Sequence, residues 1–199
     1  MYYDPRLKNH NLPHDPFLAL VVPRPIGWIS TVDALGNINL APYSFFNAVS
    51  GRPPFVMFGS STRKDSQRNA EATGEFVVNL ATYELREEVN ATSIVAAPGV
   101  DEAALAGLEM IASVAVKPPR VKRSPVALEC LYRTSVPLTS GDGVVHPATI
   151  VIGEVIGVHI DDAVIVDGRV DPLRLQPLSR LGYLDYGVIG TVFSMPRPH

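Results

Sequence analysis

Cysteine is scarce in this chain, and long apolar runs are absent. Cys130 is the single cysteine among 199 residues, which excludes an internal disulfide and a metal site built from several cysteines. Its apolar neighbours predict an inert core thiol, compatible with a reducing cytoplasm. No apolar run approaches the roughly 20 residues that cross a bilayer, and the N-terminus has no basic-then-apolar signal pattern. We therefore expect a cytoplasmic protein without a membrane segment.

The chain also lacks a strong charge of either sign. Its formal net charge is −3, and its one basic cluster, at residues 117–123, is short and flanked by prolines. We expect no nucleic-acid partner, since the phosphate backbone requires a concentrated basic surface. Hydrophobic residues make up 46% of the chain, which predicts a sizeable core. We expect a single domain over residues 1–199, with an N-terminal arm at about 1–14 and a proline-rich C-terminal tail at about 193–199.

Several familiar catalytic and nucleotide-binding motifs are missing. The five histidines are dispersed, and Pro13 disfavours a helix that would present His10 and His14 on one face, so no metal site is predicted. The chain has no G-x-S-x-G elbow, no G-x-G-x-x-G fingerprint and no G-x-x-x-x-G-K-[ST] loop. Serine-hydrolase, Rossmann and P-loop functions are therefore unsupported.

The chain does contain a series of short β-forming segments. Branched and aromatic residues at 26–32, turn residues at 33–37 and the segment 38–41 predict a β-hairpin. The same composition predicts further strands at residues 55–59, 76–80, 126–136, 149–160 and 163–166.

Helix-forming segments are fewer and shorter. One helix is expected at residues 66–72, with Asp65 as its N-cap and Gly74 as its stop. Helix formers also dominate residues 83–92 and 101–107, which we interpret as a helical excursion. Many strands with few helices predict a mainly β protein built on a closed or nearly closed barrel, because a parallel α/β fold needs a helix after each strand.

Residues 40–50 (LAPYSFFNAVS) interleave aromatic side chains, hydroxyls and an amide directly after a half-buried strand. They offer the apolar walls and polar donors that a flat heteroaromatic ring needs. An ordinary strand with Phe45 in the core explains the same pattern. The residues alone leave both interpretations open.

Residues 60–66 (SSTRKDS) follow a buried strand and open a helix. Clustered hydroxyls, two cations and the free N–H groups of a helix start are suited to a phosphate group. A solvated loop with an N-cap is the alternative interpretation, and it also stays open.

Several motifs occur in a defined order and spacing along the chain. They are residues 23–31 (PRPIGWIST), 39–47 (NLAPYSFFN), 53–54 (PP), 64–66 (KDS) with Asn69, and 76–79 (FVVN). This series resembles the signature of flavin-reductase-like proteins, particularly the flavoredoxin-like branch. Downstream, residues 152–155 resemble that family's late barrel strand, and Arg180, Leu181, Gly182 and Tyr186 resemble its C-terminal motif. The resemblance covers about residues 15–197.

The resemblance implies an FMN-binding split β-barrel, six-stranded, antiparallel and Greek-key, that forms a homodimer with FMN near the subunit interface. Ser30 and Thr31 would contact the ribityl chain or phosphate. The isoalloxazine ring would be lined by Tyr43, Ser44, Phe45, Phe46 and Asn47. The phosphate would be surrounded by Ser60, Ser61, Arg63, Lys64, Asp65 and Ser66, with Asp65 as a cap because its charge repels phosphate. The C-terminal Arg180 and Tyr186 are further expected binding residues, and Trp28 would pack by the ring or fill the barrel.

One loop departs from the family pattern. Many short-chain flavin reductases carry Gly-Asp-His just before the Gly-Glu-Val strand, where the histidine meets the nicotinamide. Here residues 141–146 are GDGVVH, so His146 is displaced by three positions. We expect His146 either to reach the ring edge or to lie in a surface loop.

The function implied by the resemblance is hydride transfer from NADH or NADPH to FMN. No catalytic side chain is expected, because stacked rings exchange the hydride while the protein supplies orientation and electrostatics. The protein would then be a flavin reductase, for example the reductase partner of a monooxygenase. The alternatives are an electron carrier with tightly bound FMN that serves another acceptor protein, and a barrel that has lost flavin.

Overall fold

The computed structural model of the chain describes residues 1–97 and 99–198, and it is mainly β. The strands are β1 Arg24–Pro25, β2 Gly27–Val32, β3 Ile38–Tyr43, β4 Phe46–Gly51, β5 Pro54–Ser60, β6 Glu75–Leu80, β7 Met110–Ile111, β8 Arg120–Val121, β9 Val126–Thr139, β10 Val145–Ile160, β11 Ile165–Val166, β12 Arg169–Val170, β13 Ser179–Arg180 and β14 Tyr186–Gly187. The helices are α1 Phe17–Leu20, α2 Asp65–Thr73, α3 Arg86–Ala91, α4 Glu102–Leu105, α5 Pro172–Leu175 and a 3-10 helix at Asp162–Val164. In these two described ranges no helix is both long and apolar enough to cross a membrane.

Most of the segments predicted as strands are strands. β2 and β3 form the expected hairpin, with Gly27 opposite Tyr43 and Val32 opposite Ile38. β5, β6, β9 and β10 confirm the longer strands that follow, and β9 and β10 extend three and four residues further at the end where they join. Residues 163–166 differ from the prediction, because the 3-10 helix Asp162–Val164 occupies the first half of that segment and leaves only the short β11.

The main sheet closes on itself at one corner. Its seven strands lie in the order β3-β2-β6-β9-β10-β5-β4, and neighbouring strands are antiparallel. β3 and β4 are thus opposite edges of the sheet, yet only Ser44 and Phe45 separate them in the chain. Such a link spans about 11 Å at most, so the two edges must meet. We call residues 43–46 the closing corner.

This closure confirms the predicted barrel. The main sheet has seven strands where six were expected, because residues 46–51 form the edge strand β4. Five of the six β4 residues are exposed, so the segment lacks the apolar alternation by which a strand is recognised in a sequence.

Aromatic rings fill the barrel next to the closing corner. The ring centroids of Tyr43 and Phe58 lie 4.8 Å apart, and those of Phe58 and Phe76 lie 5.5 Å apart. Gly153 on β10 faces the Phe76 ring so closely that a Cβ atom there would lie 2.3 Å from Cζ. Because Phe76 is fully buried, the glycine is what allows the ring to occupy the barrel centre.

A second core cluster lies between the hairpin and the helical excursion. Trp28 is fully buried, and its Nε1 donates a hydrogen bond to Thr92 Oγ1 at 2.9 Å. Leu40 and Leu85 belong to the same cluster. Trp28 therefore acts as a core residue, and the excursion covers the barrel face from which it projects.

Candidate functional site

Two pockets meet at the closing corner. The first, which we call the cradle pocket, has a volume of about 260 Å³ and is lined by Asn39, Ala41, Pro42, Tyr43, Thr62, Lys64, Asp65, Ser66, Arg68, Thr92, Ser93, Ile94, Val95, Ala96 and Glu102. The second, the N-terminal groove, measures about 480 Å³ and is lined by Leu20, Val21, Val22, Pro23, Arg24, Pro25, Ser44, Phe45, Phe46, Asn47 and Met57. The stretch 42–47 lines the cradle pocket with its first two residues and the groove with its last four.

The start of α2 forms one wall of the cradle pocket. Its N-cap residue is Lys64, in extended conformation, and no side chain caps the first turn. Asp65 is the first helical residue, so the prediction that it caps the helix is wrong; its carboxylate instead pairs with Arg68 one turn on. The uncapped N–H groups of this turn carry the positive end of the helix dipole.

The charges around this helix start are unequally compensated. Arg63 forms an ion pair with Glu71 at 2.7 Å, and Arg68 is paired with Asp65. Lys64 forms no ion pair with any residue in the described ranges. It is exposed and lines the pocket, so its ammonium group is the cation best placed for an anionic ligand.

The Tyr43 hydroxyl is an unsatisfied polar group in the cradle wall. The side chain is 7% exposed, and its hydroxyl makes no hydrogen bond. Burial raises the pKa of Tyr43 above its usual range, and the nearby hydroxyls of Ser66 and Ser60 act in the opposite direction. A buried hydroxyl without a partner costs free energy, and a ligand oxygen in the pocket would remove that cost.

A polar network behind the cradle holds Ser66 and Thr31, two of the residues predicted to bind the ligand. Asn39 Nδ2 donates to Ser66 Oγ at 2.9 Å, and Asn69 Nδ2 donates to Thr31 Oγ1 at 3.1 Å. Ser30 Oγ donates to the Pro119 carbonyl oxygen. Ser30 and Thr31 are fully buried, so the structure places them in the scaffold of the site, behind Ser66, and outside both pocket walls.

The side chains predicted to line the flavin ring, at residues 43–47, point to two different sides of the closing corner. Tyr43 points into the aromatic core, and Phe46 packs against Gly27, where a Cβ atom would lie 2.6 Å from the Phe46 ring. Phe45 is 46% exposed and Asn47 is exposed, both toward the N-terminal groove. The Gly59 N–H fixes the turn by donating to the Phe45 carbonyl oxygen at 2.7 Å. Ser44, Phe45 and Asn47 therefore form the accessible part of this wall.

Three further predicted residues lie around these pockets without lining them. Ser60 is buried and its hydroxyl donates to the Thr62 carbonyl oxygen, whereas Ser61 is exposed beside it. His146 is exposed near the start of β10, three residues before Thr149, the register partner of Ser60. It borders neither the cradle pocket nor the groove.

The predicted C-terminal residues belong to a small three-stranded sheet. Arg180 on β13 pairs with Tyr186 on β14, and the Arg180 Cζ atom lies 4.5 Å from the centre of the Tyr186 ring. Arg180 is also the register partner of Arg24 on β1, which lines the N-terminal groove. Tyr186 lines a separate apolar pocket of about 300 Å³ with Tyr83. Arg180 is thus the strand neighbour of a groove residue, whereas Tyr186 lines a different pocket.

Two buried charged residues that line these pockets were not among the predicted site residues. Glu102 on α4 is buried, accepts a hydrogen bond from the Leu40 N–H at 3.1 Å and lines the cradle pocket. Arg24 lies within the PRP motif, which did not by itself indicate a site residue. The structure shows that Arg24 is buried and lines the groove. No sequence signal connects Glu102 to the cradle, because only tertiary folding brings the helical excursion there.

The donor set of this corner is compatible with the FMN that the resemblance implies. The uncapped turn of α2, Lys64 and the orphaned Tyr43 hydroxyl provide donors for a phosphate and for a ribityl hydroxyl. The groove beside them offers the apolar surface of Phe45 with the polar edge of Ser44 and Asn47. One stretch of chain thus carries both kinds of surface.

Comparison with known proteins gives matches along nearly the whole chain. Residues 19–174 match the family model described as a flavin reductase like domain. An uncharacterised protein of Halalkalibacterium halodurans is 34% identical over 198 residues, covering 97% of this chain and 92% of that protein. The nitrilotriacetate monooxygenase component B from Bacillus cereus has a TM-score of 0.90 at 29% identity and covers 98% of each chain. Flavoredoxin of Desulfovibrio vulgaris (Miyazaki F) has a TM-score of 0.78 at 19% identity, covers 88% of this chain and 91% of that chain, and shows the fold alone.

Proposed function

Because this chain belongs to the flavin reductase like family, we propose that it binds FMN and uses it to pass electrons from NADH or NADPH to an acceptor. The observation that carries this proposal is the cradle pocket. It combines an uncapped helix start, a lysine without an ion pair and a buried hydroxyl without a partner. Lys64, Tyr43 and the first residues of α2 all line this cavity, and each of the three features favours the oxygens of a phosphorylated ligand.

Each part of the site has a defined task in this proposal. Lys64 and the first turn of α2 hold the phosphate, and Tyr43 donates to an oxygen of the ribityl chain. Asn39 and Asn69 fix Ser66 and Thr31 from behind. Phe45 and Asn47 orient the ring at the groove. When bound, FMN supplies the two-electron redox chemistry that no side chain of the site provides.

The relatives support the reductase role. The Bacillus cereus neighbour is a component of nitrilotriacetate monooxygenase, and a component of this kind would supply reduced flavin to a separate oxygenase. We therefore include a monooxygenase among the acceptor proteins for this chain. A physiological acceptor of a different class would leave the flavin chemistry unchanged.

A visible spectrum and a rapid-mixing experiment test this function. The purified protein, or the protein after addition of FMN, is expected to show the absorbance of bound flavin, and anaerobic mixing with NADH or NADPH should bleach it. Failure to bind FMN would exclude the proposal. Binding without bleaching by either nicotinamide would exclude the reductase and leave the carrier.

Substitution of Lys64 tests the cradle. Lys64→Ala is expected to weaken FMN binding by about 1.5–3 kcal/mol, the contribution of hydrogen bonds to charged groups, measured by quenching of flavin fluorescence. Lys117→Ala is the matched control, because Lys117 is exposed and lies outside both pockets. Equal FMN affinities of the two variants would contradict the assignment of the phosphate to this pocket.

One observation favours the electron carrier as a second candidate. His146, the residue aligned most nearly with the nicotinamide-contacting histidine, borders neither pocket. Without that contact the nicotinamide would have no histidine partner from this chain. FMN that stays bound through gel filtration, with no steady-state oxidation of NADH or NADPH, would identify the carrier.

The proposed assembly is a homodimer. Ile156, Val158 and Ile160 alternate along β10 and are 42%, 57% and 42% exposed, so they form an apolar stripe on one face of the strand. A second copy would cover this stripe. Sedimentation velocity should show a dimer that Val158→Lys converts to monomer, whereas Val114→Lys, at an exposed loop position, should leave it intact. A monomeric wild-type protein would contradict this assembly.

A further inference from the structure

Two arginines face each other across a strand pair beside the N-terminal groove. Arg24 on β1 and Arg180 on β13 are direct register partners in an antiparallel pair, so their side chains project from the same face. Like charges directly opposite each other destabilise a sheet. No carboxylate within the described part of the chain forms an ion pair with either guanidinium. The pair is therefore a concentrated positive charge without a protein counter-ion.

Arg24 is held in place by backbone groups. Its residue exposure is 7%, and its Nη1 donates to the carbonyl oxygens of Leu18 and Val21 while Nη2 donates to that of Leu181 at 2.8 Å. Its Nε has no hydrogen-bond partner. Burial lowers the pKa of Arg24, and the charge of Arg180 lowers it further. Three carbonyl dipoles orient this cation, but none of them neutralises it.

Arg24 of this pair lines the groove next to an exposed aromatic face, and Arg180 is its partner on the adjoining strand. Arg24 lines the groove, and its Cζ atom lies 6.0 Å from the centre of the Phe45 ring. Arg180 is half-buried and its Cζ atom lies 4.5 Å from the centre of the Tyr186 ring; among the described residues, only the Tyr183 carbonyl oxygen accepts a hydrogen bond from its guanidinium. Arg180 therefore keeps guanidinium N–H groups for a ligand that extends from the groove, and Arg24 adds a fixed charge at the groove wall.

We propose that Arg24 and its strand partner Arg180, with Phe45 beside Arg24, form a subsite for an organic anion. The ligand class is a flat or apolar molecule that ends in a carboxylate or a phosphate group. Its body would lie along Phe45 in the groove, and its anionic end would neutralise the arginine pair. This inference deepens the proposed function, since the ligand would be the electron donor or acceptor that meets the flavin at the closing corner.

Two sources of the anion are possible, and matched ligand pairs separate them. Benzoate and its neutral isostere benzamide represent an aromatic acid as acceptor. NADH and reduced nicotinamide riboside represent the phosphate groups of the donor. Dissociation constants are measured on the FMN-loaded protein by absorbance changes of the flavin, and benzoate and benzamide are also measured on the apoprotein by ligand-observed NMR.

The variants are Arg180→Gln and Arg169→Gln. Arg169→Gln is the control because Arg169 is an exposed cation on β12, so both variants remove the same charge. Arg180→Gln should weaken the anionic ligand about 10- to 100-fold, as expected for a lost charge-assisted contact, and leave its neutral partner unchanged. Arg169→Gln should change neither. Loss of benzoate binding identifies the acceptor's carboxylate as the anion, and loss of NADH binding identifies the donor's phosphates.

Several outcomes would overturn the subsite. Equal affinity of the wild-type protein for the charged and neutral members of both pairs would do so, as would equal effects of the two variants. If Arg180→Gln fails to fold, the wild-type preference for benzoate over benzamide must weaken as salt is raised, and a preference independent of salt would overturn the inference. If FMN does not bind at all, the proposed function fails, while the NMR measurement on the apoprotein still decides whether the anion subsite exists.

Discussion

The cradle pocket and the N-terminal groove lie on either side of the same corner but are assembled in different ways. The helix-start side of the cradle comes from one continuous segment, residues 62–66, which follows β5 and starts α2. The groove combines the segment before β2, the link between β3 and β4, and Met57 from β5, with Arg180 of the C-terminal sheet beside it. The helix-start side of the cradle depends on local conformation, whereas the groove and the other cradle walls, from β3 and residues 92–102, depend on how distant parts of the chain pack.

This difference teaches which changes should affect each pocket. The helix-start side of the cradle retains its geometry as long as β5 and the start of α2 are formed. A composite site also needs the contacts that hold α1 and β13 against the barrel. Substitutions that loosen those contacts should therefore alter the groove and spare the cradle, and substitutions in the shared barrel core should alter both.

The largest expected effect is a loss of stability in the barrel core. Both pockets are built on this core, so both should be altered. Gly153→Ala places a Cβ atom 2.3 Å from Cζ of the fully buried Phe76, and such overpacking should lower the free energy of unfolding by about 3 kcal/mol. Urea denaturation measures this change. Gly141→Ala, where a Cβ atom meets open space, serves as control. A Gly153→Ala variant as stable as this control would show that the Phe76 ring can move aside.

A smaller effect is expected from a substitution that weakens binding in the groove and spares binding in the cradle. Gly182 packs on α1 so closely that a Cβ atom would lie 2.4 Å from Ala19 Cβ. Gly182→Ala should push α1 away, cost about 1–2 kcal/mol of stability and weaken benzoate binding in the groove, while the FMN affinity of the cradle changes less than twofold. Titrations of both ligands measure this selectivity, with Gly190→Ala at an open position as control. Equal losses for both ligands would mean that the pockets are coupled.

The smallest expected effect comes from one substitution in the cradle. It should stabilise the FMN-free protein and weaken the FMN complex. Tyr43→Phe removes the buried hydroxyl that lacks a partner, so the apoprotein should gain about 1 kcal/mol of stability. The FMN complex should instead be weakened, because the ligand loses its donor. Thermal unfolding with and without FMN measures both changes. Destabilisation of the apoprotein would indicate that the hydroxyl already has a partner, such as Ser60 or Ser66.

The sequence predicted the local parts of this structure better than the composite ones. The helix start at residues 60–66 could be anticipated because turn residues, hydroxyls and helix formers act within a few positions of one another. Even there the cap was misassigned: Asp65 enters the helix and pairs with Arg68, which is its i+3 neighbour. Both Asp and Lys are compatible with this turn, and only the backbone conformation distinguishes cap from first helical residue.

The roles that sequence patterns did not predict depend on long-range packing. Ser30 and Thr31 belong to a motif, but their strand is buried on both faces, so their hydroxyls serve Pro119, Asn39 and Asn69 instead of a pocket. The charge opposition of Arg24 and Arg180 arises from the pairing of chain segments more than 150 residues apart. Neither relation leaves a local signal, because each depends on which strands become neighbours.

The two-residue link between β3 and β4 has a consequence for how this site can diverge. Because Ser44 and Phe45 must bridge the barrel edges, an insertion or deletion there would shift the strand register, and with it every side chain of the neighbouring edge. The distance between the two pockets is thus fixed by the covalent chain. New ligand preferences would have to come from residues 20–25, which line the groove and lie outside the seven-stranded sheet, so that this segment can change without disturbing the barrel.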